Sequence, residues 1–345
     1  MKLRMRDIAA KDGAAAGEKL LVMTYNVLAQ CYVRSSFFPY CASKALRWKA
    51  RSQALEGVFR ALPVQPDVIC LQEVDQYQDF WVGMMRRIGY SGVYAQKGGT
   101  KKEGVAIFWN PNKYQLVDQQ RLELDNPVGD ESGTRIPINI GHLSRVVTAN
   151  HGNLLCADCS EQLLSRAKRG SVALIAHFKQ VGQKKTAQPL EFVLATTHLF
   201  WDPAQEDLKL LQTRRVLRPL EDFAQSRGLS VIFAGDFNSL PGSKVYDLIT
   251  KERFASAYSQ YKPDGGGEPD FTNVNGASPG EVEGSQVASF VGTLDYLFYQ
   301  APGVEPVALL ELMSLEEATK AVALPSLLSP SDHLPLLCEF TIRSQ

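Results

Sequence analysis

The feature that most constrains this chain is a set of polar residues placed at the ends of short apolar runs. The runs are rich in β-branched and aromatic residues and are bounded by turn-forming residues, so they predict strands. They cover residues 20–25, 68–71, 105–109, 172–178, 192–197, 231–234, 294–299 and 334–342. Six chemically useful side chains stand at these boundaries: Asn26, Glu73, His198, Asp236, Asp295 and His333. Ligands bind at strand ends in open α/β sheets, so we expect these side chains to form one polar site at the edge of an apolar core.

Helical spacing of apolar residues appears between the strands, over residues 43–62, 75–88 and 207–223. Strands that alternate with helices, and also occur as adjacent pairs, predict a mixed sheet or two packed sheets flanked by helices. The irregular stretch 127–164 suggests an insertion, and the stretch 261–289, rich in Gly, Pro, Asp and Glu, suggests a surface loop. No internal repeat or linker is evident. We therefore expect a flexible N-terminal segment, 1–18, and a single catalytic domain, 19–345.

The charge balance limits the kinds of partner that the chain can bind. Lys plus Arg and Asp plus Glu both number 37, which gives a formal net charge of zero. This balance argues against a large basic surface for binding nucleic acid, but it is compatible with a local basic groove. No apolar run is long enough to span a membrane, so we expect no membrane partner. The first 18 residues lack the apolar core of a secretory signal, which favours the cytoplasm or nucleus and leaves mitochondria open.

The six cysteines fit a reducing compartment. Cys70 and Cys338 lie inside predicted strands, where a free cysteine behaves as a small hydrophobe. Cys156 and Cys159 form a CxxC pair near His151, which is one half of a zinc site. No second pair completes such a site, so we interpret this segment as a loop with two thiols.

The types of the strand-end residues point to a hard cation and a phosphate. Magnesium is bound by one or two carboxylates, with water and phosphate oxygens completing the octahedron, and Glu73 with Asn26 suits that description. Asp236 could activate a water, and the two histidines could face the charge that builds on a phosphoryl group. Each residue alone has an ordinary explanation, since an Asp-x-Asn after a strand is usually a turn or a helix cap. Their joint occurrence favours a catalytic site.

Seven short motifs then resemble the endonuclease/exonuclease/phosphatase superfamily across about residues 20–340. They are YNVL at 25–28, LQEV at 71–74, GVAIF at 104–108, THL at 197–199, GDFNS at 235–239, LDY at 294–296 and SDH at 331–333. The resemblance implies a four-layer α/β/β/α sandwich with two central mixed β-sheets, as in DNase I-like proteins. It also implies a magnesium-dependent phosphodiesterase or phosphomonoesterase.

Three longer segments are similar to the branch of carbon-catabolite-repression deadenylases, nocturnin and Angel proteins. They are THLFWDP at 197–203, followed by DLKLLQ at 207–212; FVGTLDY at 290–296; and the approach to the last strand at 324–333. The residues of the motifs are most similar to those of fungal Ngl-type RNA exonucleases, which are implicated in trimming the 3′ ends of ribosomal RNA. The leucine-rich repeat that docks the founding deadenylase into its complex is not seen in this sequence, so we do not expect that partnership.

The resemblance assigns roles in a 3′–5′ exoribonuclease that acts on poly(A), ribosomal or other RNA 3′ ends. Glu73 would bind Mg²⁺, which Mn²⁺ could replace, with Asn26 nearby and Asp332 as a second ligand. Asp236 would be the general base. The other catalytic roles fall to Asn238, which orients water or phosphate, to His198 and His333, which stabilise the transition state, and to Asp295, which holds His333.

Binding of the terminal base is assigned to Phe290 and Pro203, which would sandwich it, while Trp201 is interpreted as a packing residue. Lys97, Lys101 and Lys102 are candidates for backbone phosphates, with a solvated turn as the alternative. Two other functions stay open at this point. One is a phosphatase on a small nucleotide such as a 2′-phosphate, as in nocturnin-like relatives, and the other is a binding protein that has kept the fold and lost activity.

Overall fold

The computed structural model describes residues 3–8, 17–125, 162–163, 165–182, 189–262, 266–276, 288–300 and 303–343. The strands of these residues are β1 (Met5–Asp7), β2 (Glu18–Asn26), β3 (Val68–Val74), β4 (Ser91–Gln96), β5 (Gly104–Trp109), β6 (Tyr114–Glu123), β7 (Val172–Gln180), β8 (Glu191–His198), β9 (Ser230–Asp236), β10 (Phe254–Ser256), β11 (Asn273–Gly276), β12 (Ala288–Gly292), β13 (Asp295–Gln300), β14 (Val304–Leu310) and β15 (Leu336–Ile342). The helices are α1 (Ser43–Leu46), α2 (Trp48–Arg60), α3 (Val82–Arg87), α4 (Glu206–Gln225), α5 (Lys244–Lys251) and α6 (Leu315–Thr319). A π-helical turn, Tyr77–Trp81, leads into α3, and short 3₁₀ turns lie at Gln30–Tyr32 and Ala257–Ser259.

The strands form two large mixed sheets and one ribbon. The first sheet has the order β1-β14-β15-β2-β3-β5-β4, the second has the order β10-β13-β9-β8-β7-β6, and β11 pairs with β12. The β2–β3 and β8–β9 pairs are parallel, and their neighbours are antiparallel. Because parallel strands end at the same edge, Asn26 lies beside Gln72, and His198 lies beside Asp236.

Three apolar layers hold this arrangement together. Val22 and Ile107 of the first sheet share one buried cluster with Leu174 and Phe192 of the second, so the sheets pack face to face. A second cluster joins the other face of the first sheet to α2 and α3, and a third joins the second sheet to α4 and α5. Alternation of side chains along each strand supplies both faces with apolar groups. The predicted four-layer sandwich with two central mixed β-sheets is therefore confirmed.

The predicted strands and helices are all present, with some differences in extent. The helix expected over residues 43–62 is divided at Arg47, whose extended backbone separates α1 from α2. The strands that we did not predict include β4, β6 and β14. Most residues of β6 are exposed because it lies at a sheet edge, so its sequence lacks the apolar run that marks a buried strand.

The described parts of two segments that we expected to be irregular contain short strands. Within the segment 1–18, which we expected to be flexible, residues 5–7 pair with β14, and Arg6 stacks on Tyr261. The stretch 261–289 is not a plain surface loop, because it contains β11, and its Thr272 and Asn273 are buried. Turn-forming residues dominate the composition there and hide a short strand.

The remaining sequence expectations have simpler outcomes. Cys70 and Cys338 are buried free thiols in strands, as predicted. Cys156, Cys159 and the proposed insertion up to residue 161 lie outside the described residues. Among the helices that are described, none combines the length and apolar character needed to cross a membrane.

Candidate active site

The strand ends bring the predicted polar residues to one edge of the two sheets. Asn26 ends β2, His198 ends β8 and Asp236 ends β9, and Asp295 opens β13 in register with Asp236. Glu73 lies in β3 where the pairing with β5 shifts register, and its φ of 56° is left-handed. Such a backbone costs a non-glycine residue about 1–3 kcal/mol and recurs where a bulge turns a functional side chain out of its strand.

Gly235 explains why the Asp236 strand can lie so close to the His198 strand. Its φ is 152°, and a Cβ at this position would collide with the carbonyl oxygen of Thr197. Only glycine removes that collision, so the GDFN motif combines a close backbone approach with the carboxylate that follows it. Replacement of Gly235 would displace Asp236 from His198.

Asp236 is the centre of the site. Its Oδ2 accepts a hydrogen bond from Asn26 Nδ2 at 3.0 Å and lies 3.6 Å from His198 Nε2 and 3.7 Å from His333 Nε2. Its Oδ1 accepts the backbone N–H of Asn238 at 2.9 Å. Burial raises the pKa of Asp236 to about 6, with His333 opposing that rise and Asp295 adding to it. A carboxylate with such a pKa is ionised at neutral pH and is a competent proton acceptor.

His333 is held from behind by a buried carboxylate. Its Nδ1 lies 2.8 Å from Asp295 Oδ2, and the same oxygen accepts the hydroxyl of Thr272 at 2.6 Å. Burial disfavours the charged imidazole, but Asp295, Asp236 and Asp332 outweigh burial and raise the pKa of His333 well above its ordinary value. The contact leaves Nε2 as the nitrogen that faces Asp236, so His333 can donate a hydrogen bond there.

His198 has the opposite surroundings. Its Nδ1 lies 3.2 Å from Lys97 Nζ, which also pairs with the fully buried Glu103 at 2.9 Å. Tyr32 donates a hydrogen bond to the same Glu103 oxygen at 3.1 Å. Burial, Lys97 and His333 lower the pKa of His198 well below its ordinary value. A neutral ring that accepts from Lys97 at Nδ1 carries its proton on Nε2, which again faces Asp236.

Glu73 lies in a region where negative charge exceeds positive charge. Its Oε2 accepts the backbone N–H of Ala29 at 2.9 Å, and its Oε1 lies 3.3 Å from Asn26 Nδ2. Burial, Glu103 and Asp332 together raise the pKa of Glu73 to about 7, against smaller opposing effects of the Ala29 N–H and Lys97. Glu103 also has a buried oxygen, Oε2, without a hydrogen-bond partner. This excess of carboxylate charge fits the donor set that a hard divalent metal ion requires.

The remaining metal and phosphate candidates flank this group. Asn26 directs its amide nitrogen to Glu73 and Asp236, while its oxygen accepts the backbone N–H of Leu28 at 3.0 Å. Asp332 is buried and accepts from Asn273 Nδ2 at 3.3 Å. Asn238 has a left-handed backbone, with a φ of 46°, and donates from Nδ2 to the carbonyl of Leu199 at 3.0 Å.

These residues form the floor of a cleft of about 1330 Å³. Glu73, His198, Asp236, Asn238, Asp332 and His333 line it, whereas Asn26 and Asp295 lie behind the lining. The predicted base-binding residues Phe290 and Pro203 line the same cleft, together with Lys97 and Lys101. Lys102 does not belong to the lining. The structure therefore brings the predicted catalytic and base-binding residues to one cleft.

One interpretation from the sequence is wrong. Trp201, which we expected to pack, is 68% exposed and lines the cleft, with its ring centre 5.9 Å from that of Phe200. An aromatic residue between a strand end and a helix start is normally buried, and nothing in the local sequence distinguishes this one.

Several contributing residues were missed from the sequence. Thr272 lies in the stretch that we expected to be a loop, and no sequence signal marks it. Lys209 of α4 is buried and donates to the backbone carbonyl of Asn238 at 2.7 Å, and burial lowers its pKa. Arg51 of α2 is buried and donates to the carbonyls of Val27 and Leu28 after β2. A charged residue on the inner face of an otherwise apolar helix was the available signal for both cations.

The two-sheet sandwich and this set of side chains define a hydrolase of phosphate esters. The model of the Endonuclease/Exonuclease/phosphatase family matches residues 23–333. The chain therefore belongs to the endonuclease/exonuclease/phosphatase family, as the sequence motifs predict.

Individual relatives agree with the predicted branch. The chain is 34% identical over 351 residues to carbon catabolite repressor protein 4 homolog 4 of Arabidopsis thaliana, covering 96% of this chain and 79% of that protein. It is 26% identical over 367 residues to the CCR4-Not complex 3′-5′-exoribonuclease subunit Ccr4 of Yarrowia lipolytica, covering 94% of this chain and 48% of that one. It is 27% identical over 332 residues to human 2′,5′-phosphodiesterase 12, covering 92% and 51%. The chain thus spans about half the length of these last two relatives.

Solved structures support the fold. ANGEL2, described as a 2′,3′-cyclic phosphatase, was solved with adenosine-2′,3′-vanadate and matches with a TM-score of 0.75 at 22% identity, covering 100% of this chain and 99% of that one. The human Nocturnin catalytic domain matches with a TM-score of 0.66 at 23% identity, covering 99% and 97%.

Proposed function

We propose that this chain is a 3′–5′ exoribonuclease that hydrolyses the last phosphodiester bond of an RNA and releases a 5′-nucleotide. The observation that carries the proposal is the position of Asp236. It faces two histidines at 3.6 and 3.7 Å and is joined through Asn26 to Glu73, on the floor of a cleft that Phe290 also lines. The exoribonuclease named among the relatives supports RNA as the substrate.

In this proposal Asp236 takes the proton of the attacking water. Its Oδ1 accepts the N–H of Asn238, and its Oδ2, which accepts from Asn26, faces the Nε2 atoms of the two histidines, so Oδ2 is the oxygen that would take the proton. The water oxygen bonds to phosphorus, the bond from phosphorus to the upstream 3′ oxygen breaks, and that oxygen takes a proton from solvent and leaves as the 3′-hydroxyl of the shortened strand. The Asn238 side chain, which also lines the cleft, orients the water or the phosphate.

The two histidines stabilise the charge on the phosphoryl oxygens. His333 does so as a cation, because Asp295 and its neighbours favour its protonated form. His198 does so as a neutral donor, because Lys97 occupies its other nitrogen. Donors fixed in a buried site need no reorientation as the reaction proceeds, and they stabilise the transition state more than the ground state.

Glu73 would hold a magnesium ion, with Asn26 and Asp332 as further candidate ligands and Mn²⁺ as a substitute. A divalent ion there would supply positive charge for the phosphate. Phe290 and Pro203 would hold the terminal base between them, and Lys101 would contact phosphate from the cleft wall.

The test is a time course on RNA oligonucleotides labelled at the 3′ or the 5′ end, with Mg²⁺, with Mn²⁺ and with EDTA. The proposal predicts immediate release of the 3′ label as a mononucleotide, stepwise shortening of the 5′-labelled strand, and no cleavage in EDTA. Internal cleavage, or full activity in EDTA, would contradict it. Two further substrates separate this proposal from other activities. Preferred cleavage of a 2′,5′-linked oligoadenylate would indicate a 2′,5′-phosphodiesterase, as one relative is named. Release of inorganic phosphate from NADP with RNA left intact would indicate a small-nucleotide phosphatase.

A further inference from the structure

The cleft wall also carries a group of aromatic and cationic side chains that contact one another. The guanidinium carbon of Arg169 lies over the ring of Phe200, 4.7 Å from its centre, and Phe200 contacts Trp201. All three residues line the cleft, as does Lys168. None of them has a role in the chemistry derived above.

Within the described residues, the Arg169 guanidinium packs on Phe200 and acts electrostatically on Asp202, but it makes no side-chain hydrogen bond. Its Nε is buried without a hydrogen-bond acceptor, and no ion pair with a described carboxylate is present. Arg166, three residues earlier, is bound to Asp207 at 2.5 Å and so is already neutralised. A guanidinium that is fixed on a ring face and open to a cleft is suited to bind a phosphate.

The cations of the cleft lie on two adjoining segments, because the backbone N–H of Gly98, next to Lys97, donates to the carbonyl of Gly170, next to Arg169, at 2.8 Å. Lys97 Nζ lies 3.2 Å from His198 Nδ1, and Lys97 and Lys101 both lower the pKa of His198, so these two lysines are near the proposed reaction centre. Arg169 instead lies over the ring of Phe200, the neighbour of Trp201, and helps to lower the pKa of Asp202. Because Lys97 is engaged by His198 and Glu103 whereas Arg169 is stacked on a ring and has no carboxylate salt bridge among the described residues, Arg169 can serve a second phosphate of a longer strand.

Trp201 gives the character of the rest of that ligand. Among the described large apolar side chains it is one of the most exposed, at 68%, whereas Trp81 is 1% exposed. An indole that projects into a cleft beside a cation is the arrangement used to stack the bases of single-stranded nucleic acid, and stacking tolerates any base.

We propose that Trp201 and Arg169 form a second nucleotide subsite for single-stranded RNA. The base of the penultimate nucleotide stacks on Trp201, and the phosphate on the 5′ side of that nucleotide pairs with Arg169. The subsite rests on the proposed exoribonuclease function, because it extends the path of the strand beyond the scissile phosphate. It makes the enzyme recognise a strand and not merely a terminal nucleotide.

A ladder of three substrates tests this geometry: the methyl ester of adenosine 5′-monophosphate, the dinucleotide ApA and the trinucleotide ApApA. The first has no penultimate base, the second adds that base, and the third adds the next phosphate. Trp201→Ala should lower kcat/KM on ApA roughly 5- to 100-fold more than on the methyl ester, mainly through KM. Arg169→Gln should show its selective loss, roughly 10-fold or more, only on passing from ApA to ApApA.

Two matched controls lie outside the cleft. Leu315→Ala removes an apolar side chain that is 44% exposed on α6, and Arg218→Gln removes an exposed cation from α4. Neither should change the ratios along the ladder. Equal losses on all three substrates for Trp201→Ala would show that the indole only supports the local fold, and an Arg169→Gln loss already complete on ApA would place Arg169 at the scissile phosphate. Either result overturns the subsite.

Acrylamide quenching of tryptophan fluorescence tests the same contact without turnover. In the Asp236→Asn chain with Mg²⁺, ApApA should protect Trp201 from the quencher, AMP should not, and the Trp201→Phe version should lose the protection. Absence of protection by ApApA, or equal protection by AMP, would overturn the subsite. The two proposals can fail separately. If ApApA protects Trp201 from the quencher but the wild-type chain does not cleave RNA, only the exonuclease function is contradicted. If the wild-type chain cleaves RNA but ApApA gives no protection, only the subsite is contradicted.

Discussion

The floor and the wall of the cleft differ in almost every physical property. We call the floor the group of Glu73, His198, Asp236 and His333 with Asn26 and Asp295 beneath it, and the wall the group of Trp201, Pro203 and Phe290. Asp236 and Asp295 are each 1% exposed and are held by several hydrogen bonds. Trp201 is 68% exposed, and its indole contacts the neighbouring ring of Phe200.

The difference indicates that the floor and the wall have separate functions, catalysis and substrate selection. A buried polar network is costly unless its groups are partnered, so each floor residue is confined to one geometry by its neighbours. That rigidity suits transition-state stabilisation of any phosphate ester. An exposed wall can adapt to a base and bind it by stacking, so the wall selects the substrate. Floor substitutions should therefore reduce all activities, and wall substitutions should reduce RNA cleavage selectively.

The largest effect is expected for Glu73→Gln. The substitution keeps the shape of the side chain and removes the charge that would hold the metal, so kcat should fall at least about 100-fold on RNA and on a small nucleotide ester alike. Thermal unfolding of the variant should show that the fold persists. The exposed Asp79→Asn is the matched control and should retain wild-type rates. Near-normal turnover of Glu73→Gln at ordinary Mg²⁺ concentrations would remove Glu73 from the metal site.

Asp295→Asn should have the next largest effect, although Asp295 does not line the cleft. Loss of its charge destabilises the protonated form of His333 and leaves the ring orientation less defined. We expect kcat to fall about 100-fold, within the range of general acid–base contributions, with little change in KM for RNA. Steady-state kinetics on both substrates measure the effect. Tolerance of asparagine would mean that Asp295 only ties the strand end by hydrogen bonds.

Phe290→Ala tests the wall. Loss of stacking should reduce kcat/KM for RNA by about 1–3 kcal/mol, while the small ester is affected much less. Phe290→Trp preserves an aromatic face and should restore most of the activity on RNA. Failure of tryptophan to rescue, together with equal losses on both substrates, would indicate that Phe290 supports the β11–β12 ribbon and does not hold a base.

The smallest effect is expected for Thr272→Val, which removes one hydrogen bond to Asp295 from the floor. A single hydrogen bond contributes about 0.5–1.5 kcal/mol, so kcat should fall roughly threefold to tenfold on both substrates. Thr272→Ser keeps the hydroxyl and should be close to wild type. A loss confined to RNA would contradict the assignment of Thr272 to the floor.

The amino-acid sequence predicts most of the floor and less of the wall. Strand ends are marked by apolar runs, so the sequence alone places Asn26, His198, Asp236 and Asp295 at one edge. It does not place Thr272 there, because Thr272 lies in a stretch with the composition of a loop, 23 residues before the Asp295 to which it donates. Lys97 is marked in the sequence only as a candidate for phosphate binding, and its contact with His198 depends on how the segment after β4 folds back.

The exposure of a side chain is the property that the sequence hides most completely. Trp201 and Phe290 are both large aromatic residues near strand ends, and residue type alone favours burial for each. Trp201 lies in an irregular segment after β8 and Phe290 lies in the short β12, so whether each ring faces the core or the cleft depends on how these segments are placed, which no apolar periodicity records. The proposed second subsite therefore depends on the three-dimensional arrangement of the cleft wall.

The most direct test of the division between floor and wall is one ratio, kcat/KM for an oligoadenylate divided by kcat/KM for the methyl ester of adenosine 5′-monophosphate. It should be measured side by side for the wild-type chain, Asp295→Asn and Phe290→Ala. If the floor acts on the phosphate and the wall on the base, Asp295→Asn lowers kcat/KM for both substrates and leaves their ratio within about twofold of the wild-type ratio. The reason is that the lost interaction acts on the phosphate that both substrates share. Phe290→Ala should lower the ratio roughly 5- to 100-fold. A ratio that falls with Asp295→Asn, or one that stays constant with Phe290→Ala, would contradict the account.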